Sequence, residues 1–222
     1  MKRITGALLV AGVLVAGAVG CDRWDENHKT VSYEVPGQVT ELVLDGKVGG
    51  IEVIASDGPV RVIEKQGWRD QEPNATHTLE GGVLKLAYSC SDCGIGYQVR
   101  VPAGTKLRLT EDTGGIKLVD MAGEIDARAD TGGIQATGLR AQQVKLTVQT
   151  GGIQARFAVA PASAELRTDT GGVDLAVPGG ADYQVDAHAE SGGSDSSVPS
   201  QAGATHKLVA RAGSGGVRVH TG

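Results

Sequence analysis

The 222-residue chain has few aromatic residues: they make up 3% of it, with two tryptophans, four tyrosines and Phe157 as the single phenylalanine. A thick sandwich core resting on large rings is therefore excluded, and Val, Leu, Ile and Ala must fill a thin interior instead. Three cysteines are too few for a disulfide-built scaffold. Basic residues are outnumbered 26 to 21, and no basic stripe or arginine cluster exists, so nucleic acid and anionic lipid are excluded as natural partners. The five histidines (His28, His77, His188, His206 and His220) are scattered, with no Ser/His/Asp order. Glycine-rich segments follow strand-like runs but open no helix, so they are not nucleotide loops.

What the chain has in quantity is glycine, 34 residues of it, much of it paired. Gly114-Gly115, Gly132-Gly133, Gly151-Gly152, Gly171-Gly172, Gly192-Gly193 and Gly215-Gly216 each follow Thr or Ser, and Ile or Val follows most of them. Their first members lie 18, 19, 20, 21 and 23 residues apart. A period near twenty in strand-rich sequence predicts a solenoid, here an all-β, single-domain β-solenoid or β-roll with one rung per repeat. Incoming runs such as Ile125/Ala127/Ala129 and outgoing runs such as Ile153/Ala155/Phe157 alternate with a period of two, and no helical period persists.

Alternation also locates the corner. Ala129 and Ile134 both belong to the core yet stand an odd number of residues apart, so the backbone must slip by one position between them. Glycine tolerates the positive φ such a slip requires, and the pair is read as the corner of each rung, with Gly133 as the residue a valine would disrupt. Carrying the alternation forward points Thr113, Thr131, Thr150, Thr170, Ser191 and Ser214 inward as a hydroxyl ladder. Asp112, Asp130 and Asp169 then face out, with Gln149 and Glu190 at equivalent places. That acidic column could serve a paired-carboxylate glycosidase or hold a cation, but no cleft is evident and the calcium-repeat pattern is missing. Solvated corner residues are the plain reading; no catalytic residue, metal site or cofactor is assigned.

The N-terminus reads as an address. Lys2 and Arg3 precede an uncharged apolar run, Ala7 to Val19, too short to span a membrane, and small residues lead to Cys21. Ala18-Val19-Gly20-Cys21 resembles the lipobox of bacterial lipoproteins, which implies cleavage of residues 1–20 and lipidation of Cys21 at the extracytoplasmic face of the cell membrane. The mature chain then carries 21 − 2 = 19 basic and 26 acidic residues. Residues 21–37 are polar and read as a tether, 38–222 as the solenoid domain, and 65–82 as an insertion loop with an exposed Trp68. Cys90 and Cys93 are most simply a local disulfide in an exported protein; redox chemistry would need a helix after the pair and zinc would need further ligands.

Tyr97-Gln-Val-Arg-Val-Pro102, the Thr-Gly-Gly-Ile/Val series, and Val177-Pro178 followed by Ala181-Asp-Tyr-Gln-Val185 resemble the bacterial putative-adhesin family, a domain of unknown function made of β-strand repeats, over roughly residues 40–220. The resemblance implies a β-solenoid displayed at the cell envelope and carries no catalytic residues with it. Many members show Gly-Asp where this chain has Gly-Gly. The expected function is a non-catalytic binding, adhesion or structural module whose partner is an envelope protein or a glycan. A cell-wall polysaccharide enzyme using the acidic column and an envelope-stress sensor are the competing classes. The strand near Val217–His220 is expected at an edge, capped or open to strand addition.

Overall fold

The computed structural model describes residues 27–222, which form nineteen strands and no helix. Residues 1–20, Cys21 and the first part of the proposed tether lie outside the described residues. Each rung is two strands joined at a glycine pair, one strand in each of two sheets. The regular rungs are β8 (Lys106–Thr113) with β9 (Ile116–Val119), β10 (Ile125–Thr131) with β11 (Ile134–Leu139), β12 (Gln143–Thr150) with β13 (Ile153–Phe157), and β14 (Ser163–Thr170) with β15 (Val173–Val177). Pairing between rungs is parallel and in register, so Ile116, Ile134, Ile153 and Val173 form one inward column. Leu107, Ile125, Val144 and Ala164 form another in the opposite sheet. All are buried, and each fully buried Leu or Ile contributes roughly 1.5–3 kcal/mol, so the stack is held by accumulation along thin columns.

Both ends depart from chain order. At the N-terminal end, β2 (Glu41–Val48) with β3 (Ile51–Ala55) lies inside β6 (Val83–Ser89) with β7 (Cys93–Val101). Beyond these, β1 (Asn27–Val35) and β4 (Val60–Trp68) close one sheet and β5 (Asn74–Glu80) closes the other, all antiparallel. At the far end, β18 (His206–Ser214) with β19 (Val217–Thr221) inserts before β16 (Tyr183–Ser191) with β17 (Ser194–Ser196). Composition explains the swap. The last rung brings Leu208, Ala210, Ala212, Val217 and Val219 to the interior, whereas β17 is Ser-Asp-Ser, fully exposed, and β16 buries its apolar residues only in part. The polar rung caps and the apolar one is enclosed, as a solenoid terminus requires.

Four expectations are corrected here. Val217–Thr221 is no edge: it is sandwiched between β15 and β17. Residues 27–35 are not tether, because Val31, Tyr33 and Val35 alternate toward the core and pair along β4, so the folded unit starts before residue 38. Residues 65–82 are not a loop but hold the end of β4, all of β5 and only short links, with Trp68 half-buried and paired with Asn27 and Cys93. The threonines are not inward either: Thr113, Thr131, Thr150, Thr170, Ser191 and Ser214 are all exposed.

The register shows why. Ala129 pairs with Val148 and Thr131 with Thr150, but Asp130 has no partner, and the same residue is skipped in every rung. The slip falls at the residue before the threonine, where both strands omit one ladder pair and stay in register, so the acidic column sits at the slip and the hydroxyls face solvent. Thr131 contributes its carbonyl instead, which accepts from Gly114 N–H at 2.8 Å, while Thr150 O accepts from Gly132 N–H at 2.9 Å.

Candidate functional site

The glycine pairs do two separate jobs. The first member carries the backbone strain: Gly132 has φ 132°, and Gly114, Gly151, Gly171, Gly192 and Gly215 match it closely. A Cβ at Gly132 would overlap the carbonyl oxygen of Gly114, so neither conformation nor space admits a side chain. Gly133 has no positive φ, which moves the strained position from the second glycine to the first. The second member instead lies on the surface. Gly115, Gly133, Gly152, Gly172, Gly193 and Gly216 floor a trough of about 1230 Å3 that crosses all eight rungs.

One wall of that trough is a single file of polar side chains. Each is the residue after the first one that leaves the glycine pair, and parallel pairing sets them side by side. At the N-terminal end stand Gln98, Glu52 and Lys117; Gln135 and Gln154 hold the centre; Asp174, Arg218 and Asp195 complete the row. Seven rung spacings of about 4.8 Å make it roughly 34 Å long. Glu52 is engaged from both sides, by Lys117 at 2.9 Å and by Gln98 Nε2 at 2.6 Å. These contacts, Lys117 first, hold its carboxyl below the usual carboxylate range. Asp174 meets His220 Nε2 at 3.2 Å. Gln135 and Gln154 are exposed and make no side-chain hydrogen bond to any described residue. The motif Gly-Gly-apolar-polar was visible in the sequence; the concavity beside it was not.

The acidic column does not line the trough. Asp112 and Asp130 stand on neighbouring rungs, but Gln149 separates Asp130 from Asp169; Asp112 and Asp169 are exposed and Asp130 is half-buried. Asp130 is engaged by Arg128 at 3.0 Å. Among the described residues no group of three metal-ligating side chains gathers anywhere. Cys90 and Cys93 are joined by a disulfide across the turn from β6 to β7, with Cα atoms 6.0 Å apart.

Two carboxylates that sequence reasoning passed over lie inside the N-terminal end. Glu64 is 3% exposed; it accepts from Tyr33 Oη at 2.7 Å and from Gln66 Nε2 at 2.8 Å. Glu111 is 0% exposed and continues the inward alternation of Leu107 and Leu109. Its Oε1 accepts from Gly50 N–H at 3.2 Å, while Oε2 has no partner among the described residues. Burial pushes its pKa up to about 7, aided by Asp112 and Asp45 and opposed by the Gly50 N–H. That value would suit a general acid, but a fully buried carboxyl reaches no polymer on the surface.

Comparison with known proteins bears on the fold. A family model described as Toastrack DUF4097 matches residues 102–221, just over half of the chain. No curated protein is similar to it. Among solved structures, a putative cell adhesion protein from Clostridium sporogenes ATCC 15579 is similar at 11% identity with a TM-score of 0.53, covering 88% of this chain and 100% of that one. A putative adhesin from Bacteroides fragilis NCTC 9343 gives 11% and 0.48, covering 87% and 97%. A putative lipid binding protein from Parabacteroides distasonis ATCC 8503 gives 11% and 0.31, covering 86% and 96%. At such identities the likeness concerns architecture, and it rests on the first of the three.

Proposed function

The chain belongs to the Toastrack DUF4097 family, and from that premise we propose that it is a non-catalytic binding module held at the cell envelope, with the glycine-floored trough as its binding surface. The trough itself carries the reading. It is open along its length and walled by exposed side chains, which suits a partner laid across many rungs and not a small substrate that must be closed off from water. The acidic column lacks enclosing walls, and the one carboxyl among the described residues with a raised pKa is sealed inside the stack. Lipidation at Cys21 would leave five residues before β1, at most about 20 Å of chain, and would keep the solenoid close to the membrane surface.

The test uses the full chain in detergent and isolated cell envelopes. The chain is expected to sediment with the envelopes, and Gln135→Arg/Gln154→Arg to lose at least four-fifths of that binding. Asp130→Asn/Asp169→Asn should retain it, and the envelope polysaccharides should keep their chain length. Release of soluble fragments that stops in the double Asn variant would replace this reading with a hydrolase. Unchanged sedimentation of the double Arg variant would remove the trough from it.

A further inference from the structure

We infer that the trough takes a single neutral polysaccharide strand, laid along the stack with its hydroxyl and amide groups on the polar file. This inference rests on the binding reading above and narrows its ligand.

Three observations converge. The first is charge. The trough is lined by Glu52, Asp174 and Asp195 against Lys65, Lys117 and Arg218, three of each sign, so its formal charge is zero. Glu52 and Lys117 neutralise each other directly. A polyanion or polycation gains nothing net from such a row, whereas an uncharged chain pays no penalty.

The second is the state of the main chain. Within the trough the rung-to-rung bonds occupy the carbonyls of the second glycines: Ile116 N–H donates to Gly133 O at 2.9 Å, Ile134 N–H to Gly152 O at 3.0 Å, and Ile153 N–H to Gly172 O at 2.9 Å. An extended peptide binds such folds by adding a strand to an edge that offers donors and acceptors in alternation, and here the acceptors are already taken. Recognition falls to the side chains and to the N–H groups of Gly115, Gly133, Gly152 and Gly172, which have no acceptor among the described residues and can donate to sugar oxygens.

The third is which side chains are free to act. Gln135 and Gln154 stand in register at the centre, exposed and without partners among the described residues. Each amide offers two donors and an acceptor, the mixed set that sugar hydroxyls and N-acetyl groups satisfy reciprocally. The floor beneath is glycine, so the C–H face of a sugar ring can approach the backbone closely.

The experiment is titration calorimetry on the full chain in detergent. The probes are N-acetylglucosamine oligomers of two to eight sugars, the de-N-acetylated cationic oligomers, a polyuronate of equal length, and a neutral extended peptide. The N-acetylated series should bind, more tightly with length until the row of about 34 Å is filled, and with little salt dependence. Gln135→Ala/Gln154→Ala should weaken it at least fivefold, with melting unchanged. Preference for a charged oligomer, steep salt dependence, or binding of the peptide alone overturns the inference. If no oligomer binds while the double Arg variant still loses envelope sedimentation, the trough remains a binding surface and the glycan assignment falls. If that variant sediments normally, the reading beneath it falls as well.

Discussion

The middle rungs and the N-terminal end of the stack are built on one repeat, yet their interiors differ in kind. From β10 to β15 the inward positions are Ile, Ala, Val and Leu with the single Phe157, all buried. The single polar intruder, Thr168, donates its hydroxyl to Gly151 O at 2.8 Å. At the N-terminal end the interior holds Glu64, Gln66 and Glu111, with Tyr33, Tyr88 and Tyr97 around them. Gln66 Oε1, Tyr97 Oη and Glu111 Oε2 have no hydrogen-bond partner among the described residues. Burial, with the two carboxylates adding to it, drives the Tyr97 hydroxyl pKa well up. The difference follows from pairing. A rung between two like rungs repeats its neighbours' side chains, and identical apolar columns fit. Tyr33, Glu64 and Gln66 belong to antiparallel β1 and β4, whose sequence and register differ from those of the rungs, and Glu111 on β8 fills the space beside Gly46, which brings no side chain to it.

Glycine substitution breaks this comparison most sharply. Gly132→Ala places a methyl group on the Gly114 carbonyl at positive φ, between two rungs that cannot separate without losing their ladder. A loss of about 3–5 kcal/mol is expected, read as a fall in the denaturant midpoint. Gly96→Ala tests the second-glycine place of a corner, at the N-terminal end. Its added Cβ would have no neighbour nearer than Gly49 O at 3.8 Å, and its φ is not positive. That variant should change stability by less than about 1 kcal/mol. Equal losses in both would remove the distinction between the two corner positions.

Acidity separates the regions next. Glu111 titrates near pH 7 in the folded chain against an ordinary value of 4.5. Its folded form therefore holds the proton more tightly than the unfolded form. The stabilising contribution is complete below about pH 4.5 and is lost as pH rises through about 7. Glu111→Gln should remove this slope, leaving the variant more stable than the parent at pH 8 by on the order of 3 kcal/mol relative to their difference at pH 4. Parallel stability curves from pH 4 to 8 would show that the carboxyl is not held in this way.

How much of this was legible depended on what a period can encode. The spacing of the glycine pairs carries the rung, and the alternation of Leu107 with Leu109 carries the face. Continuing that alternation reaches Glu111, so the buried carboxyl was readable and was passed over. The position of the slip was not readable: Ala129 and Ile134 require one break between them, and the pattern is silent on whether it falls at Asp130 or at the glycines. Placing it at the glycines turned the threonines inward when they face water. Rung order was hidden for a different reason. Parallel neighbours need not be sequential, and only the contrast between Ser194-Asp-Ser196 and Val217-Arg-Val219 hinted that the last rung would be enclosed. The trough needed coordinates, since a residue file marks a row but not the hollow beside it.

The smallest expected effect concerns the edge that the swap creates. With β18 enclosed, β16 becomes the outer strand of its sheet, a template for unwanted pairing. Serine hydroxyls blunt it. Ser200 Oγ accepts from Val185 N–H at 2.9 Å and donates to Val185 O at 3.2 Å, and Ser194 Oγ donates to Ala187 O at 2.9 Å. Ser200→Ala should therefore cost about 0.5–1 kcal/mol, because the contacts are exposed and water can replace them. The sharper readout is association: freeing the Val185 backbone opens a strand edge, and sedimentation velocity should show a concentration-dependent dimer that the parent lacks. A variant that stays monomeric at the highest concentration tested would mean the edge is guarded by the 197–205 segment, through buried Val198 and Ala204, and not by the hydroxyl.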